Sequence, residues 1–340
     1  MERLKYIDTA KGLAIVSIVM LHFEKGFFPT QLNLFISAYM ITMFYVAAGW
    51  IDAMQTSCRS LKEYAKHRWA QLLVPYIWWT VIILAFDAIL WACHYYDVYF
   101  IARELYKSIT LRGIGTLWFL PALFGGSILW QCTKMLNKWY VYLLVLSIAL
   151  GYQSFYHATF AIRADCIGRL IDSPFRAINA MFGAWIGITA GYMFQKHIMK
   201  YEVLSNKVVS FIVGIIFCAI SLWIETILHF SGAFWTLSAP LLSPIGLILV
   251  LKSIEKNPCF SKILHVLSYC GKHSMAIMVT HYSIILVICT IINYLITGNI
   301  VLDGINSLIW FVIAMIVECI LIIRLDWIAP QLFGRRKCMA

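Results

Sequence analysis

The chain has little charge and even less acidity. Charged residues make up 13% of its 340 positions, and Asp and Glu number only 16 against 27 Lys and Arg. Soluble domains carry about 25% charged residues and are about half apolar, whereas this chain is 62% hydrophobic with a mean hydropathy of +0.81. This composition excludes an ordinary soluble domain and indicates a polytopic membrane protein.

Several sequence signatures are also missing. The ten cysteines form no C-x-x-C pair and no Cys/His spacing typical of zinc, so no metal site is predicted. No G-x-x-x-x-G-K-[ST] segment occurs, which excludes the simplest ATP-driven transporter. The chain also shows no strong internal repeat of the kind from which duplicated secondary transporters are built.

The sequence is instead rich in apolar runs of about 20 residues, the length that crosses a bilayer core as a helix. The runs are continuous rather than alternating, which favours helices over barrel strands. We predict an all-α polytopic membrane protein with about ten transmembrane helices in one integral membrane domain, residues 1–340. The predicted spans lie near 11–28, 32–54, 70–94, 117–133, 139–156, 175–195, 208–229, 233–251, 273–296 and 305–327. Prolines within these spans predict kinks or breaks: Pro75, Pro121, Pro240 and Pro244.

The net charge of +11 indicates topology rather than nucleic-acid binding. With loops alternating across the bilayer, most of the 27 Lys and Arg fall on the side of the N-terminus. The opposite side has only Lys25, Arg103, Lys107, Arg112, Arg163, Arg169 and Arg176. The positive-inside rule then places both termini in the cytoplasm. A disulfide between Cys93 and Cys166, which can both face outward, is left open.

Two outward-facing connections are unusually long, residues 95–116 and 157–174. The first mixes aromatic and basic residues as an interfacial helix does. The second carries Arg163, Asp165, Arg169 and Asp172. Long loops are uncommon unless they are functional or disordered, and these are too apolar for disorder. They form either an outward-facing substrate site or helices resting on the membrane surface.

Ionisable residues at membrane depth are costly, and each is a functional candidate by default. Asp87, Glu225 and Glu318 lie deep in predicted spans, where they serve either function or interhelical hydrogen bonding. The remaining polar candidates lie near span ends, where they reach water: Asp52, His94 and His229.

The first predicted helix combines a cation with an imidazole. Lys11 and His22 are 11 residues apart, so they share one helix face and lie about 16 Å apart along the axis. Asp8 falls near the same face. The residues alone leave two interpretations of His22: a neutral histidine bonded to a neighbouring helix, or a functional group near mid-membrane.

Four stretches, in this order along the chain, resemble the acyltransferase-3 family of membrane acyltransferases. They are Asp8-x-x-Lys11-Gly12 followed by Ile15, Val19 and His22; Arg68-Trp-Ala-Gln71-Leu-Leu-Val-Pro75-Tyr76; Leu117-Trp118-Phe119-Leu120; and Gly271-Lys272-His273-Ser274-Met275 through His281. The Lys-Gly form of the first stretch is similar to the fucose 4-O-acetylase-like branch, whose members modify surface polysaccharides. The resemblance covers nearly the whole chain.

The resemblance implies specific roles for four residues. His22 would be the catalytic base, and Lys11, Arg68 and Gln71 would bind the phosphates of acetyl-CoA. The family often has arginine where this chain has Lys11 and Gln71. Arginine binds phosphate through two parallel hydrogen bonds from its planar guanidinium group, whereas lysine provides a point charge and glutamine only a neutral amide.

The implied reaction moves an acetyl group from cytoplasmic acetyl-CoA to a hydroxyl of a surface glycan or lipid-linked sugar. An imidazole suits the deprotonation of that hydroxyl near neutral pH, and a covalent acetyl-imidazole relay is left open. His281 lines the same cavity or bonds across helices. The expected location is the bacterial cytoplasmic membrane, without a nucleic-acid partner and with oligomeric state open. The rival classes are a transporter or glycan flippase and, third, a membrane-bound sensor.

Overall fold

The structure of the protein is a computed structural model. It describes residues 4–23, 28–55, 60–160, 166–201, 204, 206–228, 232–295 and 304–333. Within these residues all regular elements are helical. The α-helices are α1 Lys5–Phe23, α2 Thr30–Tyr39, α3 Thr42–Ala53, α4 Leu61–Arg68, α5 Val74–Ala92, α6 Val98–Ile109, α7 Phe119–Leu136, α8 Trp139–Thr159, α9 Cys166–Met193, α10 Lys207–Trp223, α11 Gly232–Thr236, α12 Ala239–Ile254, α13 Ser261–Lys272, α14 Ser274–Leu295 and α15 Gly304–Ile328.

These helices confirm the predicted all-α membrane protein. Seven helical segments in the described part of the chain are long and apolar enough to cross a membrane, and shorter apolar stretches follow within α14 and α15. Each of the ten predicted spans overlaps at least one helix. The second predicted span is divided into α2 and α3 at Met40 and Ile41.

The span prolines lie mostly in first helical turns, where the missing N–H would have no intrahelical partner. Pro121 is the third residue of α7, and Pro240 is the second residue of α12. Pro75 follows a π-helical turn, Trp69–Leu73, that connects α4 to α5. A proline clashes with the carbonyl four residues before it, and the wider turn accommodates Pro75 without ending the helix. Pro244 alone lies inside its helix, α12.

The two long connections contain more helix than predicted. Within residues 95–116, α6 starts at an Asp97 cap whose Oδ1 accepts from Phe100 N at 2.7 Å. It has a buried polar face and an exposed apolar one, which agrees with an interfacial helix. The prediction of a connection over 157–174 is wrong in its bounds, because α8 reaches Thr159 and α9 starts at Cys166. Pro174 does not end α9, which runs through it.

The chain forms two compact units. The first comprises residues 1–55 and 189–325, and the second comprises residues 56–188 and 326–340. In each unit, glycines allow helices to cross closely. Gly214 of α10 meets Gly246 of α12 in the first unit, and Gly126 of α7 meets Ala184 of α9 in the second. The interpretation of residues 1–340 as one functional domain remains a prediction.

Candidate functional site

The first unit contains two histidines in ring contact. His22 of α1 and His281 of α14 have ring centroids 5.2 Å apart at an interplanar angle of 75°. The Tyr282 ring lies 6.1 Å from the His22 ring. His22 is exposed on the surface of its unit, whereas His281 is fully buried. An accessible imidazole is therefore packed edge-on against a buried one.

Both histidines have the same tautomer, which follows from their backbone contacts. Nδ1 of His22 lies 2.7 Å from the Ile18 carbonyl oxygen, and Nδ1 of His281 lies 2.8 Å from that of Ile277. A carbonyl oxygen can only accept, so Nδ1 donates in each ring and Nε2 carries the lone pair. Nε2 of His281 is buried and has no hydrogen-bond partner among the described residues. Nε2 is thus the basic nitrogen in each ring, but only His22 is an exposed side chain.

A close helix crossing brings the two rings together. Gly12 of α1 packs on the backbone of α13 at Leu267 and Gly271, and Gly271 packs on the backbone of α1 at Asp8. A side chain at either glycine would overlap a carbonyl oxygen of the other helix. Only His273 separates α13 from α14, so the crossing also fixes where α14 begins. His281 lies two turns into α14, against the end of α1.

The first helix begins earlier than the predicted first span. The predicted span is 11–28, whereas α1 starts at Lys5 and is described as far as Phe23, so the position of His22 near mid-membrane remains a prediction. The helix starts early because Asp8 and Lys11 neutralise each other at 3.0 Å, so their charges do not interrupt it.

Lys11 shares α1 with His22, as predicted, and pairs with Asp8. The Asp8 side chain is almost fully buried and Lys11 is partly exposed. Their ion pair fixes the Lys11 ammonium on the helix face that also carries His22. The acetyl-CoA contact predicted for Lys11 remains a prediction.

Arg68 and Gln71 belong to the second unit. Arg68 ends α4, where its Nε donates to the Tyr64 hydroxyl at 3.2 Å and its guanidinium lies 5.3 Å from that ring's centroid. Gln71 lies half-buried within the π-helical turn before Pro75. Lys11 and His22 belong to the first unit, so a cofactor site shared by all four residues also remains a prediction.

A buried carboxyl group lies on the helix after His281. Glu318 of α15 is fully buried, and its Oε2 accepts from Thr280 Oγ1 at 2.7 Å. Its Oε1 has no hydrogen-bond partner among the described residues. Thr280 immediately precedes His281, so polar groups extend from α1 through α14 to α15. The sequence indicates His22, His281 and Glu318 as candidate residues but not Thr280. The one signal that could have indicated Thr280 is its position next to His281.

The other polar candidates have varied outcomes. His281 donates from Nδ1 to a carbonyl of its own helix. Glu225 accepts from Trp235 Nε1 at 2.7 Å, which fits a structural role. Asp87 is buried in α5. His229 lies outside the described residues, and Cys93 is an exposed free thiol. No group of three or more His, Cys, Asp or Glu that could hold a metal ion occurs in the part of the chain that the structure describes.

These features define a membrane-embedded helical protein with an accessible imidazole base. The profile of the acyltransferase-3 family, described as an acyltransferase domain, matches residues 4–324. The chain therefore belongs to the acyltransferase-3 family and is an integral membrane acyltransferase. The match spans both units and does not define a branch, so the fucose 4-O-acetylase-like branch remains a prediction. No curated protein and no solved structure matches the chain.

Proposed function

We propose that this protein is an O-acetyltransferase that uses acetyl-CoA to acetylate a hydroxyl of a surface or lipid-linked glycan, with His22 as general base. The observation that carries the proposal is the His22–His281 pair, in which His22 is accessible and its Nδ1 is held by the Ile18 carbonyl oxygen, so that Nε2 is left as the basic nitrogen. The family match supports an acyltransferase over a transporter or flippase.

The chemistry follows from the tautomer. The acceptor hydroxyl donates its proton to His22 Nε2 while its oxygen attacks the thioester carbonyl carbon. The C–S bond then breaks, and the departing CoA thiolate takes the proton back from the imidazolium. The Ile18 carbonyl orients the ring through Nδ1–H.

His281 has a positioning role in this scheme. Its ring contacts the edge of His22, and its own Nδ1–H is held by Ile277. Packing on a buried ring restricts the orientations of His22. Because its Nε2 is buried, His281 acts on the orientation of the His22 ring rather than on the substrate.

The donor and acceptor approach from opposite sides of the membrane. Acetyl-CoA is polyanionic and cytoplasmic, and we place its phosphates by Lys11, Arg68 and Gln71 on the predicted cytoplasmic side. Lysine and arginine bind phosphate through charge-assisted hydrogen bonds. The glycan reaches His22 from the outer end of α1. This arrangement assumes the cytoplasmic membrane of a bacterium with both termini inside.

The proposal is tested by transfer from radiolabelled acetyl-CoA to membrane glycans at matched expression. Wild type should label glycan, whereas His22→Ala should lose at least about 10²-fold in rate, the usual contribution of a general base, and still bind acetyl-CoA. His265→Ala is the matched control, because His265 is exposed on α13 and is neither of the two histidines in ring contact. Equal labelling by His22→Ala would remove His22 from the mechanism.

The same donor distinguishes the two mechanisms left open. Without acceptor, a general-base enzyme leaves the protein unlabelled, whereas an acetyl-imidazole relay leaves label on His22. We expect no protein-bound label. Stoichiometric label that His22→Ala abolishes would establish the covalent route.

A further inference from the structure

The second unit contains a polar cluster that the proposed chemistry does not use. It lies between α8, α9 and the connection after α6, and we name it the α8–α9 cluster. Its members are Arg112, Gln153, Tyr156, Asp172, Arg176 and Asn179. In the predicted topology, the connections over residues 95–116 and 157–174, which contain Arg112 and Asp172, lie on the outer side of the membrane.

The charged members act on one another. Arg112 Nη1 lies 3.9 Å from Asp172 Oδ2, a long ion pair, and Tyr156 lies beside Asp172. Burial lowers the pKa of Arg112, and the nearby Arg176 lowers it further, whereas Asp172 opposes this. Arg112 and the Asp172 carboxylate thus occupy a partly desolvated site, and the exposed Arg176 lies near it.

The cluster contains three buried oxygen atoms without hydrogen-bond partners among the described residues: Asp172 Oδ1, Gln153 Oε1 and Asn179 Oδ1. Asp172 and Gln153 are more than nine-tenths buried. A carboxylate oxygen can only accept, and each buried unsatisfied group costs about 1–3 kcal/mol. The missing partners of this cluster are therefore donors.

These residues lie on facing helix surfaces. Positions 172, 176 and 179 of α9 share one face, since they are four and seven residues apart. Positions 153 and 156 of α8 share another, where both side chains are buried. Gln153 Nε2 would lie 3.9 Å from a Cβ at Gly183, one turn beyond Asn179 on α9. The unpartnered oxygens thus line the seam between the two helices.

Aromatic rings border the cluster. The Phe160 ring stacks on Phe175 with centroids 4.6 Å apart, and on Tyr156 at 6.0 Å. Phe175 immediately precedes Arg176 in sequence, and Tyr156 lies beside Asp172. Apolar rings around a few polar groups are typical of small-molecule sites.

The buried carboxylate of Glu104, in the same unit, is an example of a carboxylate whose ion pairs are both short. Glu104 Oε1 lies 2.9 Å from Arg103 Nη2 and 2.7 Å from Lys107 Nζ. Both cations come from α6 itself and contact the same carboxylate oxygen, so the charge of Glu104 is compensated within its own helix. Asp172 differs from Glu104. It has one long ion pair and the neighbouring Tyr156, and one of its carboxylate oxygens has no hydrogen-bond partner among the described residues.

We propose that the α8–α9 cluster binds a carbohydrate, whose hydroxyl groups donate to Asp172 and Gln153 and whose ring or carboxylate oxygens accept from Arg112. Sugars combine many hydroxyl donors with acceptor oxygens and apolar C–H faces, which matches the three kinds of group present. That this sugar belongs to the acetyl acceptor rests on the proposed function, but its binding does not require acetyl-CoA.

The test is saturation-transfer NMR of the full chain in a detergent without a sugar headgroup, with D-galactose, N-acetyl-D-glucosamine and D-glucuronate as probes and no acetyl donor. We expect at least one sugar to bind. Asp172→Asn and Gln153→Met should each weaken binding by about 10-fold or more, the loss of one hydrogen bond to a charged or buried partner. Glu63→Gln is the control, because Glu63 is an exposed carboxylate at the start of α4, and this variant should bind as wild type does.

Thermal unfolding of the variants distinguishes a sugar-binding site from a packing defect. Gln153→Met removes a buried unsatisfied oxygen at similar volume, so the free protein should unfold at the same or a higher temperature while sugar binding falls. Absence of binding by all three sugars, or binding that Asp172→Asn and Gln153→Met leave unchanged, would overturn the inference. Either of these two results would leave the proposed acetyl transfer by His22 unaffected. Conversely, a failure to detect acetyl transfer would not contradict sugar binding by the α8–α9 cluster.

Discussion

The glycine crossing of α1 and α13 should control activity without touching substrate. In Gly12→Ala the added Cβ overlaps the Leu267 carbonyl and lies 3.0 Å from Gly271 N. All of these are backbone atoms, so no side chain can rotate away. The helices must separate by roughly 1–2 Å to restore ordinary contacts of about 3.5–4.0 Å.

That separation has two measurable consequences. Overpacking of this kind costs about 1–3 kcal/mol of stability, so the thermal midpoint in detergent should fall. Because α13 continues into α14 after one residue, His281 moves relative to His22. A misplacement of about 1 Å can cost about 10²-fold in rate, and we expect a loss of acetyl transfer of that order.

Gly151→Ala is the control. Gly151 lies in α8, and a Cβ there meets no atom within 4 Å. Replacing a mid-helix glycine by alanine stabilises by about 0.5–1 kcal/mol, so this variant should be as stable as wild type or more so and fully active. A Gly12→Ala protein with the wild-type midpoint and transfer rate would refute the crossing as the element that positions the histidine pair.

Three further outcomes are expected. His281→Phe keeps the ring volume and removes both nitrogens, so kcat should fall about 10-fold or more with KM for acetyl-CoA unchanged; a selective rise in KM would contradict a positioning role. Thr280→Val leaves the buried Glu318 without its donor and should lower the free energy of unfolding by about 1–3 kcal/mol, whereas Thr280→Ser should not, as thermal melts will show. Lys11→Gln should raise KM for acetyl-CoA and reduce its dependence on salt, while Lys11→Arg restores both; salt-independent KM in wild type would contradict a phosphate contact.

The local structure was predictable from hydropathy because each membrane segment must satisfy its own backbone. The helices therefore fall where the apolar runs predict them. The start of α1 was missed because Asp8 and Lys11 pair within the helix instead of preceding it. The bounds of α9 were missed because the polar residues before Pro174, Asp172 and Ser173, are buried within the helix.

Which helices meet was not predictable in this way. Lipid-facing and protein-facing surfaces are both apolar, so hydropathy does not indicate how helices pack. The contact of Gly12 with Gly271 and that of His22 with His281 join residues about 260 positions apart in sequence. Resemblance to the family marked both histidines, and only the structure shows that their rings touch.

Chemical rescue of His22→Ala tests the central claim most directly. The measurement is acetyl transfer from labelled acetyl-CoA by the purified variant as imidazole is added, with His265→Ala as the reference. The account predicts that transfer by His22→Ala is lost, that acetyl-CoA binding persists, and that transfer returns in proportion to the concentration of neutral imidazole. Full transfer without imidazole, or lost transfer that imidazole never restores although the variant folds and binds acetyl-CoA, would contradict His22 as the general base.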